Sequence, residues 1–514
     1  MPAVRVKAGK RQRVPSVVSP WGEPAPSRQT SRLARGIRGP RPESASRAPE
    51  SRENERAADG DALGHAVNGD RLEVTPEAHP FVRRPHRTLI GLSFPVMLSL
   101  IPEPLTGLVD TAFVKILGAG SVAALGVGAT LFSVVIWAFN FLAIGTQTEV
   151  AHAYGSGSEE RSGRVTSMAL ALAGAIGLCI GLSAWPLLPA LCGFMGAEAE
   201  VADLAVGYLE IRLLGGPAVL ATMAALGALR GLHDMRTPLR IAVAVNVLNV
   251  ILDAILITGW GPVPALGVPG AAWATVVSQW VGAVWALGAV KRSMPLTRRI
   301  DLREARSLLV VGRDLFFRTG LLVAFILLTT RAATRIGADS GAAQQAIRQV
   351  WLLTALMLDA YAASAQSLVG YFLGAGRLDL ARRVCGVACA WGFATGVALM
   401  LAMLFSEAAV ADLLVPSSAH GIFLQAWWIA ACWQPVNALS FVTDGIHWGA
   451  RDYRYLRDAM LAASGLGAAA LFTNEAVGTS SLIAIWWITG AWIALRAGCG
   501  MLRIWPGVGA APLA

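Results

Sequence analysis

Carboxylate and amide side chains inside apolar segments are the residues of this chain with the clearest potential for chemistry. Glu103 and Asp110 stand seven residues apart in the stretch PVMLSLIPEPLTGLVDTAFV, and so on one face of a helix. The stretch NVLNVILD places Asn246, Asn249 and Asp253 at positions i, i+3 and i+7 of a second helix, again on one face. An ionisable group in hydrocarbon costs roughly 2.5–3.5 kcal/mol on insertion scales, so each is a functional candidate.

Two carboxylates and amide oxygens from different helices could bind a cation in either of two ways. Carboxylate and carbonyl oxygens are suitable ligands for hard metal ions, so Asp110, Asn249 and Asp253 could hold Na⁺. Alternatively, the carboxyl groups could share a proton, because burial and like-charge proximity favour the protonated form. Thr275, in the next apolar segment, could add a further oxygen. The alternative for any one of these residues is a hydrogen bond between helices with no further role.

Three further charged residues inside apolar segments are secondary candidates, together with Glu103 and Asn246. They are Arg331, Asp359 and Asp444, and all belong to the second half of the chain. This half is not an acid-for-acid copy of the first, so the sequence predicts the paired-carboxylate site in one half only.

The composition indicates the elements that must position these residues. Of 514 residues, 55% are hydrophobic and only 15% are charged, with a mean hydropathy of +0.54. Several apolar runs exceed the ~18 residues that span a bilayer. We predict an all-α membrane protein with twelve transmembrane helices at about 88–113, 121–152, 163–189, 199–228, 237–258, 269–290, 306–334, 341–371, 380–405, 417–447, 455–473 and 479–500.

The charges of the connecting loops support this count. If both termini are inside, the inner loops are rich in arginine, and Arg496 and Arg503 follow the last span. The outer loops hold only Lys115 and Arg335 as basic residues. This alternation is the positive-inside bias, and one miscounted helix would invert it.

The chain also repeats itself. An offset of 219 residues aligns GAGSVAA with GADSGAA and Gln147 with Gln366, and an offset of 218 aligns Pro217 with Pro435. Each unit has an even number of spans, so the sequence predicts two parallel six-helix repeats, a pair of bundles with a cleft between them that is typical of a carrier. The expected regions are a basic tail over 1–87, lobes over 88–291 and 306–505, and a basic inter-lobe loop over 292–305.

The N-terminal tail is rich in Arg and Ser, and its first forty residues contain a single acid, Glu23. This composition predicts disorder and is typical of either an organellar transit peptide or a plain cytoplasmic tail. The tail lacks a nucleic-acid recognition motif, so no nucleic-acid partner is expected. The histidines and cysteines lack metal-binding spacings, and no nucleophile, base and orienting group cluster together. We therefore expect neither an enzyme nor a bound cofactor beyond a coupling H⁺ or Na⁺.

Several stretches resemble the MATE (multidrug and toxic compound extrusion) family, and its DinF-type branch in particular. They are PVMLSLIPEPLTGLVDTAFVKILGA, LEIRLLGGPA, ALRGLHDMRTPLRIAVAVNVLNVILDAILI, GRDLFFRTG and LDAYAASAQSLVGYFLGAG, and the likeness covers about residues 88–505. The resemblance implies a cation site that maps to Asp110, Asn249 and Asp253, with Thr275 less surely aligned. It also implies a V-shaped, two-lobe transporter and a bending proline at Pro95.

The resemblance implies an exporter of xenobiotics or other small organic compounds, driven by antiport of H⁺ or Na⁺. The alternative is a lipid-linked oligosaccharide flippase on the same scaffold, for which Arg331 and Arg348 are the best headgroup-binding candidates. We expect a monomer in the lipid bilayer, either in the plasma membrane or, if the tail is a transit peptide, in the chloroplast envelope. Lys115 departs from the family pattern, in which a glycine usually follows DTAFV.

Overall fold

The computed structural model of the protein describes residues 76–197, 199–297 and 302–514, so most of the predicted tail lies outside the described residues. Twelve long helical spans follow one another, and four of them consist of two segments. The first six are α1 (Pro85–Leu100 and Pro102–Val114), α2 (Ala119–Trp137 and Phe141–Gly155), α3 (Glu159–Ala184), α4 (Ala199–Leu214 and Gly216–Gly231), α5 (Arg236–Thr258) and α6 (Val268–Ser293). The other six are α7 (Leu302–Ile336), α8 (Ala338–Gly374), α9 (Leu378–Phe405), α10 (His420–Cys432 and Gln434–Gly449), α11 (Tyr453–Ala476) and α12 (Leu482–Ile504).

The twelve predicted spans are therefore confirmed, with ends shifted by several residues. In the part of the chain that the structure describes, nine spans are long and apolar enough to cross a membrane by length and composition alone. The other three are α7, α10 and α11. Of these, α7 and α11 begin with several charged residues, and α10 is split into two shorter segments.

Three of the four interruptions lie beside a proline. Pro102, Pro217 and Pro435 stand in the first two positions of the second segments of α1, α4 and α10. A proline has no backbone N–H to donate to the preceding turn, so it starts a helix well and interrupts one. In α1 the interruption falls at Ile101, whereas Pro95 lies buried inside the first segment.

Each half forms one bundle, and the packing repeats from one bundle to the other. A Cβ atom at Gly227 of α4 would collide with Ala143 of α2, and one at Gly445 of α10 would collide with Ala362 of α8. Glycine permits this close approach because it carries no side chain. The two pairs are related by the same offsets that the sequence repeat shows, so equivalent helices pack in equivalent ways.

The two bundles meet through the segments near the inner side. Gln147 of α2 donates a hydrogen bond to the carbonyl oxygen of Ala363 in α8 (2.7 Å), and Gln366 of α8 donates one to that of Ile144 in α2 (2.8 Å). The repeat relates these two hydrogen bonds to each other, because the offset of 219 residues aligns Gln147 with Gln366 and Ile144 with Ala363. The second segment of α2 and the first of α1 pack against α8, whereas the outer segments of α1, α2 and α4 pack within their own bundle. The two bundles are therefore joined through segments at their inner side.

Candidate functional site

The predicted carboxylate pair comes together in the first lobe. Asp110 lies in the outer segment of α1 and Asp253 lies in α5, and the two carboxyl groups are close enough to interact electrostatically. Asp253 is fully buried and Asp110 is half-buried. Two ionised carboxylates can only accept hydrogen bonds, so a proton or a cation is needed to link them.

Asn249 and Thr275 complete this group of oxygens. Asn249 is 2% exposed, and its Nδ2 donates to Thr275 Oγ1 at 3.4 Å. The Thr275 hydroxyl in turn donates to the Ala271 carbonyl oxygen within α6. The amide nitrogen of Asn249 is thus used, and its Oδ1 is buried without a hydrogen-bond partner among the described residues. The structure brings the four predicted residues of α1, α5 and α6 to one place.

The unpaired buried atoms of this cluster are all acceptors. Among the described residues, no hydrogen-bond partner lies near Asp110 Oδ1, Asn249 Oδ1 or either carboxyl oxygen of Asp253. Leaving a buried polar atom without a partner costs about 1–3 kcal/mol, and more for charged groups. Acceptors from two carboxylates and one amide fit a bound proton or Na⁺, and they would repel an anion.

Asn246 has a local role one turn before Asn249. The Thr106 hydroxyl of α1 donates to Asn246 Oδ1, and Asn246 Nδ2 donates to the Ala242 carbonyl oxygen (2.7 Å). This contact ties α1 to α5 beside the carboxylate pair. The side chain of Glu103 lies outside what the structure describes.

Arg212 of α4, which was not among the candidate site residues, is a neighbour of the cluster. It is 8% exposed, lies 4.1 Å from the centre of the Phe132 ring and donates to Gln279 Oε1 at 3.0 Å. Its charge interacts with Asp110. Tyr208, one helical turn earlier, is also buried within reach of both aspartates. The signal for Arg212 was its charge within an apolar span.

The charged residues of the second lobe form a different group. Asp444 Oδ2 accepts hydrogen bonds from Arg318 Nη2 and from Arg496 Nη2, the latter at 2.8 Å. All three residues are at most 8% exposed. Asp359 of α8 interacts electrostatically with all three and with Arg230 of α4.

Two sequence expectations change at this point. Arg496 was counted with the inner-side charges that follow the last span, but α12 extends to Ile504 and buries Arg496 against Asp444. Arg331 lies towards the outer end of α7 and pairs with Glu475 of α11 at 3.3 Å, and Arg335 pairs with the same carboxylate. Arg331 is therefore paired with a carboxylate of its own lobe.

Twelve helices in two pseudo-symmetric bundles, with a buried acceptor cluster in one bundle, define a membrane transporter of the alternating-access class. Solved structures agree with this fold. A MATE structure in the bent conformation superposes with a TM-score of 0.75 at 22% identity, covering 81% of this chain and 94% of that one. A MATE structure in the straight conformation gives the same TM-score and identity, with 81% and 95% covered.

Sequence comparisons assign the family. The MatE family model matches residues 95–255. Protein DETOXIFICATION 44, chloroplastic, of Arabidopsis thaliana is 32% identical over 431 residues, which are 81% of each chain. DNA damage-inducible protein F of Escherichia coli is 29% identical, with 86% of this chain and 96% of the relative covered. The chain belongs to the MATE family of transporters, and it is a multi-pass membrane protein.

Proposed function

We propose that this transporter exports small organic compounds and couples their export to the entry of H⁺ or Na⁺ at Asp110, Asn249, Asp253 and Thr275. The observation that carries the coupling is the buried cluster of acceptors around two carboxylates, which requires a positive charge. The relatives support export, since one is named for detoxification and another is the multidrug resistance protein NorM of Burkholderia vietnamiensis, 28% identical. The flippase alternative is not favoured by these relatives.

The coupling step follows from the charges. Without a cation, Asp110 on α1 and Asp253 on α5 repel each other, and the outer segment of α1 is held away from α5. A cation that enters from the outer side removes this repulsion and draws α1 towards α5. The interruption at Ile101 and the proline at position 95 allow α1 to bend rather than move as a rod. The bend would narrow the central cleft and expel the substrate.

The test is efflux from proteoliposomes under separately imposed H⁺ and Na⁺ gradients, with a panel of fluorescent organic cations, anions and neutral compounds. We expect one gradient to drive efflux of at least one compound. Asp110→Asn or Asp253→Asn should slow that efflux by about tenfold or more, because coupling free energies are typically 1–3 kcal/mol. The matched control is Asp412→Asn, an exposed aspartate outside the lobe that holds the site. Full gradient-driven efflux by Asp253→Asn would refute the assignment.

We further propose that the protein acts in the chloroplast envelope. Two relatives from Arabidopsis thaliana are named chloroplastic, and the Arg-rich, acid-poor leader supports import. Fluorescent fusions of the whole chain and of a chain that lacks residues 1–75 provide the test. We expect the whole chain to label the envelope and the shortened chain to miss it. An unchanged location after the deletion would contradict a transit peptide.

A further inference from the structure

Buried residues of the second lobe, together with Arg230 of the first, form an excess of positive charge near the place where the lobes meet. Arg318 of α7, Arg496 of α12 and Arg230 of α4 supply three guanidinium groups. Asp444 and Asp359 supply two carboxylates. One positive charge is therefore left over, in a region where isolated charge is costly.

The unpaired atoms of this cluster are all donors. In the described chain, Nε of Arg230, Nε of Arg318, and both Nε and Nη1 of Arg496 are buried without a hydrogen-bond partner. The same holds for the indole N–H of Trp448, whose ring lies 5.3 Å from the Arg318 guanidinium carbon. Asp444 already accepts from two arginines through one oxygen. The pattern is the opposite of that around Asp253, where the unpaired atoms are acceptors.

Two features place the cluster at the junction of the lobes, with some of its side chains less buried than others. Arg230 belongs to the first lobe, and its carbonyl oxygen accepts a hydrogen bond from Ser367 of α8 (2.6 Å), so the guanidinium stands at the junction of the lobes. Trp448 and Asp359 are only half-buried, whereas Arg318 and Arg496 lie deeper. An entering ligand would meet an aromatic ring first and the arginines behind it.

We propose that Arg318, Arg496 and Arg230, with the indole of Trp448, bind the carboxylate group of an aromatic or similarly flat organic acid. This inference rests on the proposed export function and names the class of compound that the cleft accepts. A carboxylate offers acceptors that match guanidinium donors in pairs. The ring of the half-buried Trp448, 5.3 Å from the Arg318 guanidinium carbon, provides the apolar wall for a ligand ring.

Binding of radiolabelled benzoate to the purified full chain in detergent, measured by equilibrium dialysis, tests the site without any gradient. We expect saturable binding that unlabelled benzoate displaces and that benzamide and benzylamine do not. Arg230→Gln, a half-buried position, should weaken binding about tenfold or more, as expected for the loss of a charged hydrogen bond. Asp359→Asn should strengthen it several-fold, because it removes the carboxylate that opposes the ligand.

The controls separate a binding role from a structural one. Arg348→Gln removes a half-buried arginine that donates to Gln345 Oε1 and should leave benzoate affinity unchanged. Arg496→Lys keeps the charge and should still lower affinity, because lysine lacks the paired donors. A merely structural cluster would not give opposite effects at Arg230 and Asp359.

Three results would overturn the proposal. They are no saturable benzoate binding, equal affinity in Arg230→Gln and the parent, and displacement of benzoate by benzamide. Chloride binding is measured in the same way. A site that binds chloride but not benzoate is an inorganic-anion site, and this fourth result would also contradict the assignment. The failure of coupled efflux would not affect these measurements, and their failure would leave the carboxylate site of the first lobe intact.

Discussion

Among the described residues, the buried charged groups differ between the two lobes, with unpaired carboxylate oxygens in the first lobe and unpaired guanidinium N–H groups in the second. In the first lobe, Asp110 and Asp253 lack donors, and in the second, Arg318 and Arg496 share the carboxylate of Asp444. Thr329, which the repeat aligns with Asp110, donates to a carbonyl oxygen of its own helix and carries no charge. The duplication therefore kept the helices while the functional side chains diverged.

Asp444 is the residue on which the buried arginines depend. Asp444→Asn would remove the carboxylate that two guanidinium groups share, and removing one partner of a buried pair typically costs about 3–5 kcal/mol. We expect a large fall in the unfolding temperature of the purified protein in detergent. The exposed Asp412→Asn variant should shift stability by less than about 0.5 kcal/mol. Equal melting of both variants would show that the ion pairs contribute little.

At the scale of helices, α2 and α8 cross at glycines that the repeat exchanges. A Cβ atom at Gly155 would collide with the Tyr371 carbonyl, and one at Gly374 would collide with the His152 carbonyl. His152 also bonds the Gly449 carbonyl oxygen at 2.7 Å. The inner ends of the lobes can meet this closely only because these positions lack side chains.

Gly374→Ala should therefore disturb the junction between the lobes. Backbone atoms cannot move aside as a flexible side chain can, so we expect a loss of about 1–3 kcal/mol or more. Gly386→Ala in α9 is the matched control, since a Cβ there meets nothing within 4 Å. That control should stabilise the helix by up to about 1 kcal/mol. Thermal unfolding in detergent compares the two, and a neutral Gly374→Ala would contradict the close crossing.

For the whole molecule, a network of ion pairs closes the inner side. Glu149 of α2 is 5% exposed and binds Arg451, which follows α10, at 2.6 Å and Arg161 of α3 at 3.3 Å. Arg161 also lies 3.9 Å from Glu304 of α7. The Glu149–Arg451 and Arg161–Glu304 contacts cross from one lobe to the other, so they must break before the inner side can open.

Glu149→Gln should shift the population towards inner-side opening. Truncating one partner of a buried charge pair across an interface costs about 2–5 kcal/mol. The probe is a cysteine at the buried position 367 in an otherwise cysteine-free chain. An impermeant maleimide added from the inner side should label it about tenfold faster in the Glu149→Gln variant than in the chain that retains Glu149. Glu160→Gln removes a pair within α3 and should change nothing. Equally slow labelling of the Glu149→Gln and Glu160→Gln variants would show that the Glu149 ion pairs do not hold the inner side closed.

The sequence determined the transmembrane elements because their signals are local. Apolar length, proline positions and loop arginines each act within one span, and the 219-residue repeat is visible without any structure. The same local signals placed Asp110 on one helical face and Asn249 with Asp253 on another. Their lone charges in apolar spans made them candidates before any contact was known.

Tertiary structure decided which faces meet. Asp253 faces Asp110 because α5 packs against α1, and no spacing within either helix specifies that contact. Arg318 and Arg496 are 178 residues apart in the chain. They both contact Asp444 only because α7, α10 and α12 pack together. From the sequence alone, we assigned Arg496 to the arginines that follow the last span on the inner side. Burial and partners belong to the packed bundle, so the charge of the second lobe became visible only there.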